Sequence, residues 1–193
     1  MEIGRVVKRL IKSVIYRPRL AKLGVDSIVL LPRWIYNGKN ISVGNNSIIG
    51  RFSVLHPIAK FGEKKYSSKI LIGDDVYIGG YSQIHCMESI IIDDGCVLSE
   101  HVYISDIAHG LVPDAGLIME QDLECKGPVH IGANTFIGYG VSVMPGVALG
   151  KNCIVGTRSV VTHSFPDYSM IAGSPAKLLK KYCFETKKWI KAT

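Results

Sequence analysis

Residues 131–166 read IGANTF IGYGVS VMPGVA LGKNCI VGTRSV VTHSFP when broken every six positions, and this spacing decides the fold. The first column holds Ile131, Ile137, Val143, Leu149, Val155 and Val161. The second is mostly glycine: Gly132, Gly138, Gly150 and Gly156. The fifth holds Thr135, Val141, Val147, Cys153, Ser159 and Phe165, mostly small side chains. Val, Ile and Leu make up 56 of the 193 residues, so six in a row at one phase arise by chance about 6 times in 10,000 per register. The glycine and small-residue columns make chance implausible.

The same period runs earlier in the chain. Val43-Gly44 and Ile49-Gly50 form one pair, and Ile72-Gly73, Ile78-Gly79, Ile84 and Ile90 form a run. A slip of two residues leads to Ile92, Leu98 and Ile104. Two interruptions, 55–69 and 108–128, are rich in polar residues, Gly or Pro and read as loops. A period of six fits neither a 3.6-residue helix nor a hairpin meander. It fits an all-β coil in which short strands meet at corners, the aliphatic points inward, and the next glycine allows a tight turn or positive φ. Stacked coils then share one aliphatic core.

Composition agrees with an ordered, strand-rich domain. Hydrophobic residues are 47% and aromatics only 8% of the chain, which excludes disorder and favours strands over a helical bundle. No run long enough to cross a membrane and no secretory leader is expected. Five cysteines without C-x-x-C spacing predict reduced thiols used as small apolar fillers, in a cytoplasmic protein.

The net charge of +7 is concentrated at the ends: residues 1–24 and 177–193 are strongly basic and the body between them is mildly acidic. That distribution argues against a nucleic-acid groove on the folded body. Ile3, Val6, Val7, Leu10, Ile11, Val14 and Ile15 follow helical spacing. Residues 1–24 are therefore expected to form a basic amphipathic helix that packs on the body or rests on the inner face of the cytoplasmic membrane. A basic helical tail is expected over 177–193, with the β-helix domain spanning 25–176.

The succession from Ile131 to Gly138, then Met144-Pro145-Gly146-Val147, Ser159-Val160-Val161-Thr162 and Ile171-Ala172-Gly173-Ser174-Pro175-Ala176-Lys177 resembles the hexapeptide-repeat acyltransferases. It is similar to the maltose and galactoside acetyltransferase group, and to bacterial O-acetyltransferases of surface polysaccharides. The resemblance covers roughly 41–180. It implies a left-handed parallel β-helix, a homotrimer, and acetyl transfer from acetyl-CoA to a hydroxyl of a saccharide or lipid-linked glycan, without a metal. Such a transfer needs a base for the hydroxyl proton, an oxyanion donor and alignment of two substrates.

The string Ile104-Ser105-Asp106-Ile107-Ala108-His109-Gly110 resembles the family motif of Asp, two histidines and Gly. His109 maps to the second histidine, the general base, whereas Ile107 replaces the first. Asp106 is a candidate to orient the imidazole or bind the acceptor. His85, Glu88 and Glu120 are candidates to flank the acceptor. The resemblance assigns the CoA side to Gly138, Tyr139, Gly156, Thr157, Thr162, His163, Lys177 and Lys180. The Tyr139 amide is the oxyanion donor in this reading, and His163 stands where the family usually has Lys. Other readings are a serine or amino-sugar acetyltransferase, a metal enzyme like the γ-class carbonic anhydrases, and a non-catalytic β-helix scaffold.

Overall fold

The computed structural model describes residues 15–192. Short strands meet at three corners and stack into three parallel faces that wind about one core. Face one orders Lys22–Leu23, Ile41–Val43, Lys69–Ile72, Ser89–Ile92, Val129–Ile131 and Ala148–Leu149. Face two runs from Ile28–Val29 through Ile48–Ile49, Tyr77–Ile78, Val97–Leu98, Phe136–Ile137 and Ile154–Val155 to Ser169–Gly173. Face three runs from Trp34–Ile35 through Val54–Pro57, Gln83–Cys86, Tyr103–Ser105 and Ser142–Val143 to Val160–Val161. Inward aliphatics such as Ile49, Ile78, Leu98, Ile137 and Val155 are in register from coil to coil and fully buried. Burial of such columns is the main favourable term in the fold.

The repeat glycines act differently from expectation. Positive φ falls two positions later in each turn, at Asn46, Phe52, Asp75, Tyr81, Asn134, Gly140, Asn152 and Arg158. The glycines are instead demanded by close approach between coils. A Cβ on Gly79 would lie 2.5 Å from the Ser99 carbonyl carbon, and one on Gly132 would lie 2.6 Å from the backbone of Gly150. The small column is buried as expected, including Cys96 and Cys153; all five cysteines are free thiols. Burial pushes the Cys96 thiol up to about 11.

Both ends depart from the expected boundaries. Leu20 is 2% exposed in the core, and Lys22–Leu23 pairs with Ser42–Val43, so the solenoid begins before residue 25. Most of the expected N-terminal helix, residues 1–14, lies outside the described residues. The C-terminal tail is not helical. Ala176–Cys183 turns back antiparallel on Ser169–Gly173, and Lys188–Lys191 pairs antiparallel with it. The last coil ends in a row of unpaired backbone groups, and a returning strand satisfies them where a helix could not. Leu178 packs on the core while Lys180 and Lys181 stay exposed, and Lys188–Lys191, with an exposed lysine at each end, forms the edge of the sheet.

The two interruptions leave from the same corner, between faces three and one. The first carries a hairpin, Lys60–Phe61 with Lys64–Lys65. The second is a longer arm in which Ile107–His109 pairs antiparallel with Leu123–Cys125, its tip holding a short 3-10 turn at Ile118–Glu120. They touch through Phe61 and His109 (ring centroids 6.0 Å apart) and through Lys64 and Asp122 (3.6 Å).

Candidate active site

The coil between these excursions makes a tight corner after Cys86, and Asp106 holds it. Its carboxylate is 0% exposed and accepts from the backbone N–H groups of Met87 (2.6 Å), Glu88 (2.9 Å) and Ser89 (2.9 Å). The Cys86 thiol points at the same carboxylate, 3.6 Å away. Burial and that neighbouring carboxylate push the thiol far above its ordinary range. Charge-assisted bonds of this kind are what a buried carboxylate without a cation requires. Asp106 thus clamps the preceding coil and makes no hydrogen bond to His109. The expectation that it orients the imidazole is corrected: both oxygens are occupied by backbone donors.

His109 ends the first strand of the arm, fixed by pairing with Leu123. Its Nδ1 is buried and has no hydrogen-bond partner among the described residues. The ring faces a cavity of about 360 Å³ lined by His56, His85, Tyr103, Phe61, Met119 and Leu123, among others. His56 and His85 follow inward aliphatics on adjacent coils and are in register, with rings 5.6 Å apart. Burial lowers the pKa of both, and the neighbouring His56 lowers that of His85 further. The cavity therefore favours neutral imidazoles, able to donate and accept hydrogen bonds.

Of the expected acceptor residues, His85 lines this cavity. Glu88 instead accepts from the Cys125 thiol at the base of the arm (3.2 Å). Glu120 is exposed in the 3-10 turn and does not line the cavity, whereas Met119 beside it does. Sequence reasoning missed His56, Phe61 and Tyr103. The pairs Leu55-His56 and Ile84-His85, each an inward aliphatic followed by histidine, carried a readable signal for the first.

The residues assigned to CoA divide between two regions. Gly138-Tyr139 stacks on Gly156-Thr157 at the corner between faces two and three, with Gly138 N–H donating to Val155 O and Arg158 N–H to Tyr139 O. Lys177 and Lys180 lie on the returning strand that extends face two. Thr162 and His163 sit past face three, at the corner from which the arm leaves two coils earlier, and His163 packs on Phe165. One chain thus keeps Tyr139, Thr157, Lys177 and Lys180 on a different side of the prism from His109. A larger open groove of about 680 Å³ on face one contains the His130–Asp93 pair (2.8 Å). Its other polar groups are engaged: Ser164 Oγ accepts from Ala148 N–H, and Lys151 pairs with Asp167. Among the described residues no three His, Cys, Asp or Glu side chains converge to hold a metal.

Known proteins match this architecture. Residues 128–163 match the model described as bacterial transferase hexapeptide (six repeats), and residues 69–105 match the hexapeptide repeat of succinyl-transferase. WbbJ of Escherichia coli K12, named provisionally as a lipopolysaccharide biosynthesis O-acetyl transferase, is 33% identical over 171 residues, 86% of this chain and 84% of WbbJ. The chain belongs to the hexapeptide-repeat acetyltransferase family. Its fold is accordingly the left-handed parallel β-helix. A maltose O-acetyltransferase from Clostridium difficile 630 superposes with TM-score 0.58 at 28% identity, covering 87% of this chain and 73% of that one. AntD, an N-acyltransferase from Bacillus cereus crystallised with dTDP and coenzyme A, superposes with TM-score 0.74 at 21% identity over 90% of each chain. At that identity AntD speaks for the fold.

Proposed function

We propose that this acetyltransferase moves the acetyl group of acetyl-CoA to a sugar hydroxyl of a bacterial surface glycan, with His109 as general base. The observation that carries the reading is the imidazole of His109 in a cavity shared with His56 and His85. His109 takes the acceptor hydroxyl proton as the oxygen attacks the thioester carbonyl. The tetrahedral oxyanion collapses, the C–S bond breaks, and the same proton returns to the departing CoA sulfur. No acyl-enzyme is formed.

The reading requires more than one chain. Tyr139, whose amide holds the oxyanion, and Lys177 and Lys180, which meet the CoA phosphates, come from a second copy. An outward apolar column on face two supports self-association: Ile48, Tyr77, Val97, Phe136, Ile154 and Met170 are in register along the stack. Such a stripe suits a dry interface, and a homotrimer closes it. The resemblance to WbbJ, named for lipopolysaccharide biosynthesis, supports the surface-glycan acceptor. No helix among the described residues is long and apolar enough to cross a membrane.

The test is His109→Ala in a CoA-release assay with glycan acceptors. General-base catalysis is worth about 10²–10⁴ in rate, so turnover falls by that factor while acetyl-CoA still raises Tm. A loss of less than about tenfold moves the base elsewhere.

A further inference from the structure

Face three carries a second stripe, which begins in the His109 cavity and runs beyond it. Outward from the cavity, the rings of Tyr103, His85, His56, Tyr36 and Trp34 follow one another with centroid separations of 5.8, 5.6, 4.4 and 6.0 Å. The first three line the cavity; the last two lie beyond it, toward the N-terminal end of the stack. Trp34 is 50% exposed and Tyr36 40% exposed, and the Arg33 guanidinium lies 4.6 Å from the Trp34 ring centroid. The register explains the order, since Trp34, Val54, Gln83 and Tyr103 form one outward column and His56 and His85 form part of the next. The stripe crosses four coils, or three interstrand intervals, roughly 14 Å.

Its chemistry differs from that of face two. The apolar column there is mainly aliphatic, with few polar groups. Here every ring carries a polar handle: the indole N–H, two phenols and two imidazoles, with the Gln83 amide between them. Flat faces bordered by hydrogen-bonding edges match a pyranose, which offers C–H groups on one side and hydroxyls around its rim. We infer that this stripe binds an extended glycan, so that the acceptor is a chain of several linked sugars whose acetylated unit enters the cavity beside His109. The stripe is longer than one monosaccharide and is continuous with the cavity, whose other boundary is closed by Phe61, Met119 and Leu123 of the two excursions. A small acceptor would fill the cavity and leave Tyr36 and Trp34 without a role. This inference rests on the acetyltransferase reading above and names the length of its acceptor.

The probe is the surface polysaccharide of the source organism, de-O-acetylated with mild alkali and cut by mild acid into fragments of graded length. CoA release is measured for the wild-type oligomer, Trp34→Ala and Tyr36→Ala. In the wild type kcat/KM rises with fragment length until the stripe is filled. In each variant the advantage of long over short fragments falls by about tenfold, the scale of one lost stacking partner. In a Trp189→Phe background, long fragments shift the Trp34 fluorescence and single sugars do not. Turnover independent of length, or the same length dependence in both variants, overturns the inference. So does dissociation of the oligomer in Trp34→Ala, which would assign the stripe to subunit contact. Acetyl-CoA stabilisation is measured on the same samples. Its absence removes the acetyltransferase reading and the stripe's role with it, whereas its presence with length-independent turnover overturns the stripe alone.

Discussion

Replacing Asp106 by Asn separates a structural carboxylate from a catalytic one. Asp106 receives one backbone N–H on Oδ1 and two on Oδ2. Asparagine offers a single acceptor oxygen. In the better orientation it keeps the Glu88 and Ser89 donors and turns its NH₂ toward the N–H of Met87. An unsatisfied buried donor costs about 1–3 kcal/mol, and the retained bonds weaken from charge-assisted to neutral, by about 0.5–1 kcal/mol each. Relief from burying a charge offsets part of this. We take a net loss of about 2 kcal/mol, a fall in Tm of roughly 4–8 °C for a chain of this size. Asp106→Ala leaves all three donors unpaired and falls further. The assay is thermal unfolding followed by circular dichroism, paired with CoA release below the transition. Asp106→Asn is expected to keep turnover within about tenfold of wild type, since no hydrogen bond joins it to His109. An unchanged Tm would refute the clamp. An unchanged Tm with a rate loss above about 100-fold would return Asp106 to the chemistry.

The lowered pKa values of His56 and His85 predict how stability follows pH. Both start from 6.5 in the unfolded chain and are lower in the folded one. Between the folded and unfolded values the unfolded chain binds more protons, so stability is full above 6.5 and falls with pH through that window. In a His56→Gln, His85→Gln double variant, melting temperature between about pH 7.5 and 5 varies less than in wild type; an equal slope would place the acid sensitivity elsewhere. Gly79→Ala tests coil-to-coil approach. Its Cβ would lie 2.5–2.6 Å from backbone atoms of Ser99 and Glu100, and relieving this disturbs the Gly79 N–H to Leu98 O bond. A loss of about 1–3 kcal/mol or more is expected. A wild-type melting curve would show that the coils can part without cost.

How far the site was legible follows from which contacts are periodic. The solenoid and its inward columns were readable because each coil repeats the same local problem, and Ile131, Ile137 and Val143 announce the solution at a fixed spacing. His109 was singled out by the resemblance of the string around it to the family motif, and the structure places it on the wall of a cavity. Asp106 was visible as a residue but not as a clamp, because its partners are backbone donors about 17–19 residues earlier. Glu88 and Glu120 looked equally suited to the acceptor, and side-chain direction alone separates them from His85. The tail illustrates the opposite error. Lys177–Lys191 has the composition of a solvated helix, yet an unpaired sheet edge lies beside it, and a stronger demand for backbone partners turns it into two strands.

The sequence by itself determined the coil and its core, because a six-residue period has one way to bury its aliphatics. Tertiary structure decided everything that depends on neighbours from other coils. It joined two loops at one corner, set His56 beside His85, and kept Tyr139 and the tail lysines on another side from His109. Those outcomes follow from register between coils and from the corner each insertion uses. Neither is written in local spacing, since the residues involved meet only after the chain has wound.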